Sequence, residues 1–174
     1  MTLTGSPVDD GVNVAGRSVS AALVVAVMVL GGVACSSDDA ATGSDDAAID
    51  VLLSEWVLEP DPTLTDGGEV TFTGDNQGGV VHELVVVRGE SASDLPAEGE
   101  GPGNYAVIES ELPAGAVVGE VEDIAPGSSK DLTLDLDAGS YVLFCNLVGS
   151  ASEGPEMEGR SHFAEGMYAE FTVN

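Results

Sequence analysis

The chain has 174 residues, of which 43% are hydrophobic, and this is enough for one packed domain with a leader. Only four basic residues face 31 acidic residues, so the formal net charge is −27. Nucleic acid is excluded as a partner, because phosphate binding needs a basic face, and charge gives no attraction to an anionic membrane surface. The charge favours a basic protein partner, or serves only to keep the protein soluble.

The amino-terminal region resembles a bacterial lipoprotein leader. Arg17 precedes an apolar run, residues 21–30, that is too short to span a bilayer but suits the core of a signal peptide. The small residues of GGVA then lead directly to Cys35. We therefore predict a signal peptide over residues 1–34, cleaved before a lipidated Cys35 at the outer face of the cell membrane. The alternatives are an ordinary signal peptide with an incidental Cys35, and a true translation start later than Met1.

The segment after this cysteine differs in composition from the rest of the chain. Residues 35–49 are mostly small and acidic, which is typical of a flexible tether. A folded body is therefore predicted over residues 50–174, attached to the membrane only through the lipid. If Cys35 carries the lipid, Cys145 has no disulfide partner. A lone thiol in an exported protein needs an explanation, although a buried, inert cysteine is common.

The body contains short apolar or alternating runs separated by turn residues, and no helix-length amphipathic pattern. Residues 88–104 are rich in Gly, Pro, Ser and acidic residues and are predicted to form a loop. The runs predict an all-β Greek-key sandwich or barrel of about seven to eight strands. The predicted strands are 49–60 with Trp56 facing inward, 67–76, 80–87, 105–112, 116–124, a hairpin over 130–147 that turns at 137–139, and 167–173.

Four side chains of the body have the chemistry of a metal site. Cys145 ends an apolar strand, His162 follows in the next loop, and Met167 begins the last strand, while His82 lies in an earlier strand. A thiolate, two imidazoles and a weak thioether are the donors of a mononuclear blue-copper centre, although zinc accepts similar ligands. Taken singly, His82 and Met167 are equally compatible with the protein interior.

The segments that carry these residues resemble the cupredoxin family, in particular its plastocyanin-like and sulfocyanin-like type 1 copper domains. They are N-x5-HEL at residues 76–84, YVLFC at 141–145 and SHFAEGMYAEFTV at 161–173, which keeps an H-x4-M spacing. The resemblance covers about residues 50–174. It implies one type 1 copper ion held by His82, Cys145, His162 and Met167.

One segment departs from the family pattern. Residues 146–161 separate Cys145 from His162, where family members have a few residues. The segment is interpreted as an insertion that extends as a loop while His162 returns to the metal. Met157, within this insertion, is an alternative axial donor.

The resemblance implies a monomeric electron carrier and not an enzyme. Its expected partner is a redox protein such as a cytochrome or terminal oxidase with a basic docking face, contacting an apolar patch around an exposed His162. Copper sequestration or delivery to an oxidase is the second hypothesis, and a structural or adhesive sandwich is the third. An enzyme with further copper centres is disfavoured, because the chain has two histidines and two cysteines.

Overall fold

A computed structural model describes residues 46–99 and 105–174. The signal peptide, Cys35 and most of the tether lie outside these residues and remain predictions. The described part contains eleven strands, eight of which have five or more residues, and none of its helices is long and apolar enough to cross a membrane. The strands are β1 Ala47–Ser54, β2 Val57–Asp61, β3 Leu64–Thr65, β4 Gly68–Asn76, β5 His82–Arg88, β6 Ala97–Gly99, β7 Tyr105–Val107, β8 Val117–Ile124, β9 Ser129–Leu136, β10 Gly139–Phe144 and β11 Tyr168–Val173.

The strands form two main sheets. One has the order β2-β1-β4-β9, the other has the order β3-β11-β10-β5-β8, and β6 pairs with β7 in a separate ribbon. The chain passes from one main sheet to the other between β2 and β3, between β3 and β4, between β4 and β5, between β8 and β9, and between β9 and β10. The predicted fold class, an all-β Greek-key sandwich, is confirmed.

Buried and partly exposed residues alternate along the strands, and the buried residues form the core between the two sheets. In β4, Val70, Phe72 and Gly74 are buried while the residues between them are partly exposed. The Phe72 ring meets Phe171 of the opposite sheet edge to face, with ring centroids 5.2 Å apart. Gly74 permits close packing, because a Cβ there would lie 2.9 Å from Cδ1 of Ile124. The inward faces of both sheets therefore share one apolar layer.

β5 and β10 are buried on both faces. Val85 and Val87 point away from the central layer and pack with Val142 and Phe144 in a second cluster. Side chains from residues 92–95 and 105–117, together with Phe163, pack on this outer face. This explains why residues 85–87 (VVV) and 142–144 (VLF) are continuous apolar runs instead of alternating ones. The strands that lead to two of the candidate ligands are therefore enclosed from both sides.

Several predicted elements differ from the structure in extent or in pairing. Residues 49–60 are not one strand but a hairpin, because the chain turns at Glu55 and Trp56 so that Ser54 pairs with Val57. Residues 130–147 are not a hairpin, because β9 pairs with β4 and β10 pairs with β5 and β11 in the other sheet. Alternation identifies a strand but does not identify its neighbour. The predicted loop over residues 88–104 also contains the short strand β6.

Candidate metal centre

Three of the four candidate ligands meet at one end of the sandwich. His82 is the first residue of β5, Cys145 directly follows β10, and His162 lies in the loop before β11. All three side chains are fully buried. One donor atom from each lies within 4.8 Å of the others.

The donor atoms face one another. Nδ1 of His82 lies 3.2 Å from Nδ1 of His162. Sγ of Cys145 lies 3.3 Å from Nδ1 of His162 and 3.9 Å from Nδ1 of His82. No carboxylate belongs to this group, and Cys145 forms no disulfide within the described residues. The cluster is therefore built from one sulfur and two nitrogen donors.

The spacing of these atoms fits one shared transition-metal ion. Metal–nitrogen bonds of about 2.0 Å and metal–sulfur bonds of about 2.3 Å limit two donors on one ion to about 4 Å apart. All three observed distances fall within this limit. Both Nε2 atoms are also buried without a hydrogen-bond partner in the described part of the chain. An ion bound at the two Nδ1 atoms leaves these Nε2 atoms without a partner, so it is the spacing of the Nδ1 and Sγ atoms that supports a shared ion.

Backbone hydrogen bonds hold Met167 beside the cluster. Its carbonyl accepts from the Cys145 amide at 3.0 Å, and its amide donates to the His162 carbonyl at 3.0 Å. Gly166, with φ of +108°, provides the positive-φ turn that places Met167 directly before β11. The Met167 side chain is fully buried in the central core. Met167 is thus the methionine that the backbone links to two of the donors.

The insertion closes on itself and returns the chain to His162. Val148 and Ser161 form an antiparallel bridge, and the His162 amide donates to the Leu147 carbonyl at 2.9 Å. The sixteen-residue segment therefore begins and ends next to the cluster. Met157 is buried inside the insertion, where its carbonyl accepts from the amide of Arg160.

Asn76 explains the N-x5-H spacing. Its buried Nδ2 donates to the carbonyls of Val80 and Ile124, at 2.8 and 2.7 Å, and its Oδ1 accepts from the Gly78 amide at 2.9 Å. Ile124 is the β8 partner of His82 in the sheet. The asparagine thus fixes the loop that delivers His82.

Glu83 joins the two strands that carry His82 and Cys145, a role that the sequence did not reveal. Its amide donates to Sγ of Cys145 at 3.5 Å, and its carboxylate accepts from the Asn146 amide at 2.9 Å. A carboxylate next to a histidine gives no signal of this role in a sequence that contains 31 acidic residues.

Trp56 and Arg160 cover His162, and the sequence did not reveal this either. The Trp56 ring meets the imidazole edge to face, with centroids 5.6 Å apart, and the Arg160 guanidinium lies 4.4 Å from the Trp56 centroid. The expectation that His162 is exposed is wrong, because its side chain is fully buried beneath this pair.

Burial keeps the metal-free cluster uncharged at neutral pH. Desolvation and the neighbouring His162 lower the pKa of His82 to about 4, and desolvation also lowers the pKa of His162. Burial raises the pKa of the Cys145 thiol to about 12, although the Glu83 amide partly opposes this. Both imidazoles are therefore neutral and ready to bind, while the thiol must lose its proton.

These values predict how zinc binding depends on pH. At neutral pH both imidazoles are already neutral, so a bound ion displaces no proton from them and displaces one proton from the Cys145 thiol. The affinity for Zn²⁺ is therefore expected to rise about tenfold per pH unit across neutral pH, with one proton released per ion. Calorimetric titration in two buffers of different ionisation enthalpy measures this number. Release of no proton would contradict a thiolate ligand.

Neither a protein-family model nor a curated protein sequence matches the chain. Several solved structures are similar to it. A dithionite-reduced auracyanin from Roseiflexus castenholzii is 20% identical, with a TM-score of 0.47 over 74% of this chain and 97% of that one. Auracyanin A, a "blue" copper protein from Chloroflexus aurantiacus, is 19% identical, with a TM-score of 0.42 over 74% and 98%. Rusticyanin from Thiobacillus ferrooxidans is 17% identical, with a TM-score of 0.41 over 73% and 77%.

Proposed function

We propose that this chain is a cupredoxin that binds one type 1 copper ion and carries single electrons between redox proteins. The observation that carries the proposal is the group of buried Nδ1, Nδ1 and Sγ atoms, 3.2 to 3.9 Å apart. A copper ion held there would alternate between Cu(I) and Cu(II), because a soft thiolate with imidazoles suits both oxidation states.

The protein residues have distinct roles in this proposal. His82 and His162 offer neutral imidazole nitrogens, and Cys145 offers a thiolate once its proton has left. Met167 would supply a weak thioether donor, since the backbone links it to both Cys145 and His162. The hydrogen bonds of Asn76 and Glu83 hold the donors in one geometry, so little has to move when the charge of the ion changes. No residue is required to perform bond chemistry.

The proposal includes a location and a partner. Cys35, outside the described residues, would carry a lipid that anchors the domain at the outer membrane face. The partner would be a cytochrome or an oxidase domain with a basic docking face, since the chain has a net charge of −27 and attraction of this kind speeds encounter. Such an association would weaken as salt increases.

Copper titration of the metal-free protein tests the function. The single tryptophan of the chain lies against His162, so bound Cu²⁺ is expected to quench its fluorescence and report the stoichiometry. One equivalent of copper should produce intense visible absorption. One-electron reduction should remove this absorption, and reoxidation should restore it. A protein that binds Cu(I) and stays colourless would favour delivery or storage of copper. A protein that binds only zinc would overturn the proposal.

The variant His162→Ala tests the ligand assignment in the same titration. The imidazole Nδ1 lies 3.3 Å from Sγ of Cys145, so its removal deletes one of the three clustered donors. The variant is expected to lose the visible band or to show a clearly altered paramagnetic spectrum. An unchanged blue spectrum would contradict the assignment of His162.

A further inference from the structure

The surface above the metal centre is formed by two side chains from distant parts of the sequence. Trp56 lies in the turn between β1 and β2, and Arg160 lies at the end of the insertion. The indole packs against the buried His162, and the guanidinium stacks on the indole at 4.4 Å. Both are half-buried, whereas the imidazole against which the indole packs is fully buried.

Both side chains are held in place. Glu165 accepts from Nε of Arg160 at 2.8 Å and from the terminal nitrogen of the same guanidinium at 2.7 Å. These two contacts hold the guanidinium in one orientation over the indole ring, and a lysine ammonium, which is a point charge, does not reproduce this arrangement. Trp56 has a φ of +65°, a left-handed conformation in which a large side chain is rare and glycine or asparagine is usual. Strain of this kind persists where the surrounding structure enforces it, often at functional sites.

We propose that Trp56 and Arg160 form a cover that keeps water and small solutes out of the metal centre and thereby raises the reduction potential of the bound ion. The proposal rests on the copper function above. A dry, apolar environment disfavours the more highly charged oxidised ion relative to the reduced ion. Opening the cover admits water, stabilises the oxidised form and lowers the potential. Trp56 and Arg160 act through His162 and its surroundings, so they are positioning residues.

Trp56→Gly removes the indole from the cover and at the same time relieves the backbone strain of the turn at residue 56. Glycine adopts the left-handed conformation readily, so the hairpin is expected to form at least as well as in the wild type. In the metal-free full-length protein, iodoacetamide is expected to alkylate Cys145 at least about tenfold faster, because the reagent can reach the thiol without local unfolding. Peptide mass spectrometry measures this rate. In the copper-loaded protein the reduction potential is expected to fall. Trp56→Phe, which keeps an aromatic ring, should restore most of both properties.

Arg160→Lys provides a second test with an internal control. The variant keeps the positive charge and removes the planar stack, so a change in potential cannot be attributed to lost charge. Arg88 forms the same kind of arrangement far from the site, 5.2 Å from the Tyr141 centroid and paired with Asp137 at 2.9 Å. Arg160→Lys is expected to accelerate the alkylation of Cys145 and lower the potential, while Arg88→Lys changes neither.

The outcomes separate this inference from the proposed function. If the wild type binds no copper, the function fails, but alkylation of the metal-free protein still tests the cover. If Trp56→Gly and Arg160→Lys both leave the alkylation rate at the wild-type value, the cover is overturned even when the protein is blue. Equal effects of Arg160→Lys and Arg88→Lys would overturn it as well, because they would indicate a general loss of rigidity.

Discussion

Replacement of Cys145 by serine is expected to abolish the visible absorption of the copper-loaded protein. The sulfur is the one soft donor of the buried cluster, 3.3 and 3.9 Å from the two imidazole nitrogens. A serine hydroxyl keeps its proton at neutral pH and does not provide thiolate-to-copper charge transfer. Copper affinity should fall by at least about 100-fold, since even changes outside the ligand set cost 10- to 100-fold. Visible and paramagnetic spectroscopy with a copper titration measures both effects.

Cys35→Ser is the matched control for this experiment. Cys35 is the other cysteine of the chain, and its predicted role is lipid attachment. The control variant should lose membrane attachment and keep its colour. A blue Cys145→Ser protein would contradict the account, because the described residues offer no second cysteine.

Replacement of Asn76 by alanine is expected to cause a large loss of stability for a single polar residue. The variant removes two buried hydrogen bonds and one partly buried hydrogen bond, and it leaves the Val80 and Ile124 carbonyls without their side-chain donor. Groups buried without partners cost about 1–3 kcal/mol each, so the free energy of unfolding should fall by about 3 kcal/mol. Urea denaturation of the metal-free protein measures this change. Copper affinity should also fall, because the loop that delivers His82 is released.

Gln77→Ala is the matched control, one residue further along the chain. The Gln77 side chain is exposed and donates to Asp75 at 2.7 Å. Its replacement should change the free energy of unfolding by no more than about 0.5 kcal/mol. Equal effects of the two substitutions would show that Asn76 has no special role in holding the loop.

The sequence predicted the strands better than their arrangement. Alternation in GGEVTFTGDN gave β4 almost to the residue, because its two faces meet different environments. The same rule predicted β9 and β10 as strands but paired them wrongly, since a short connection fits both a hairpin and a crossing between sheets. The turn at Trp56 was missed because tryptophan is a strand residue by propensity and not a left-handed turn residue.

The sequence pointed to four candidate ligands, three of which the structure brings together, but it did not reveal the side chains that cover them. The order of His82, Cys145, His162 and Met167 and the rarity of histidine and cysteine pointed to these four positions. The cover depends on Arg160 reaching Trp56, which is 104 residues away in the sequence. Such a contact depends on how the insertion closes, through the Val148–Ser161 bridge, and no local pattern encodes that bridge.

X-ray absorption at the copper edge tests the central claim most directly, because it reports which atoms touch the ion. The protein loaded with one equivalent of copper should show a single short sulfur shell and two imidazole nitrogens, and the sulfur shell should vanish in Cys145→Ser. A wild-type spectrum with only nitrogen and oxygen neighbours, or a sulfur shell that survives this substitution, would contradict the claim that His82, Cys145 and His162 share one metal ion.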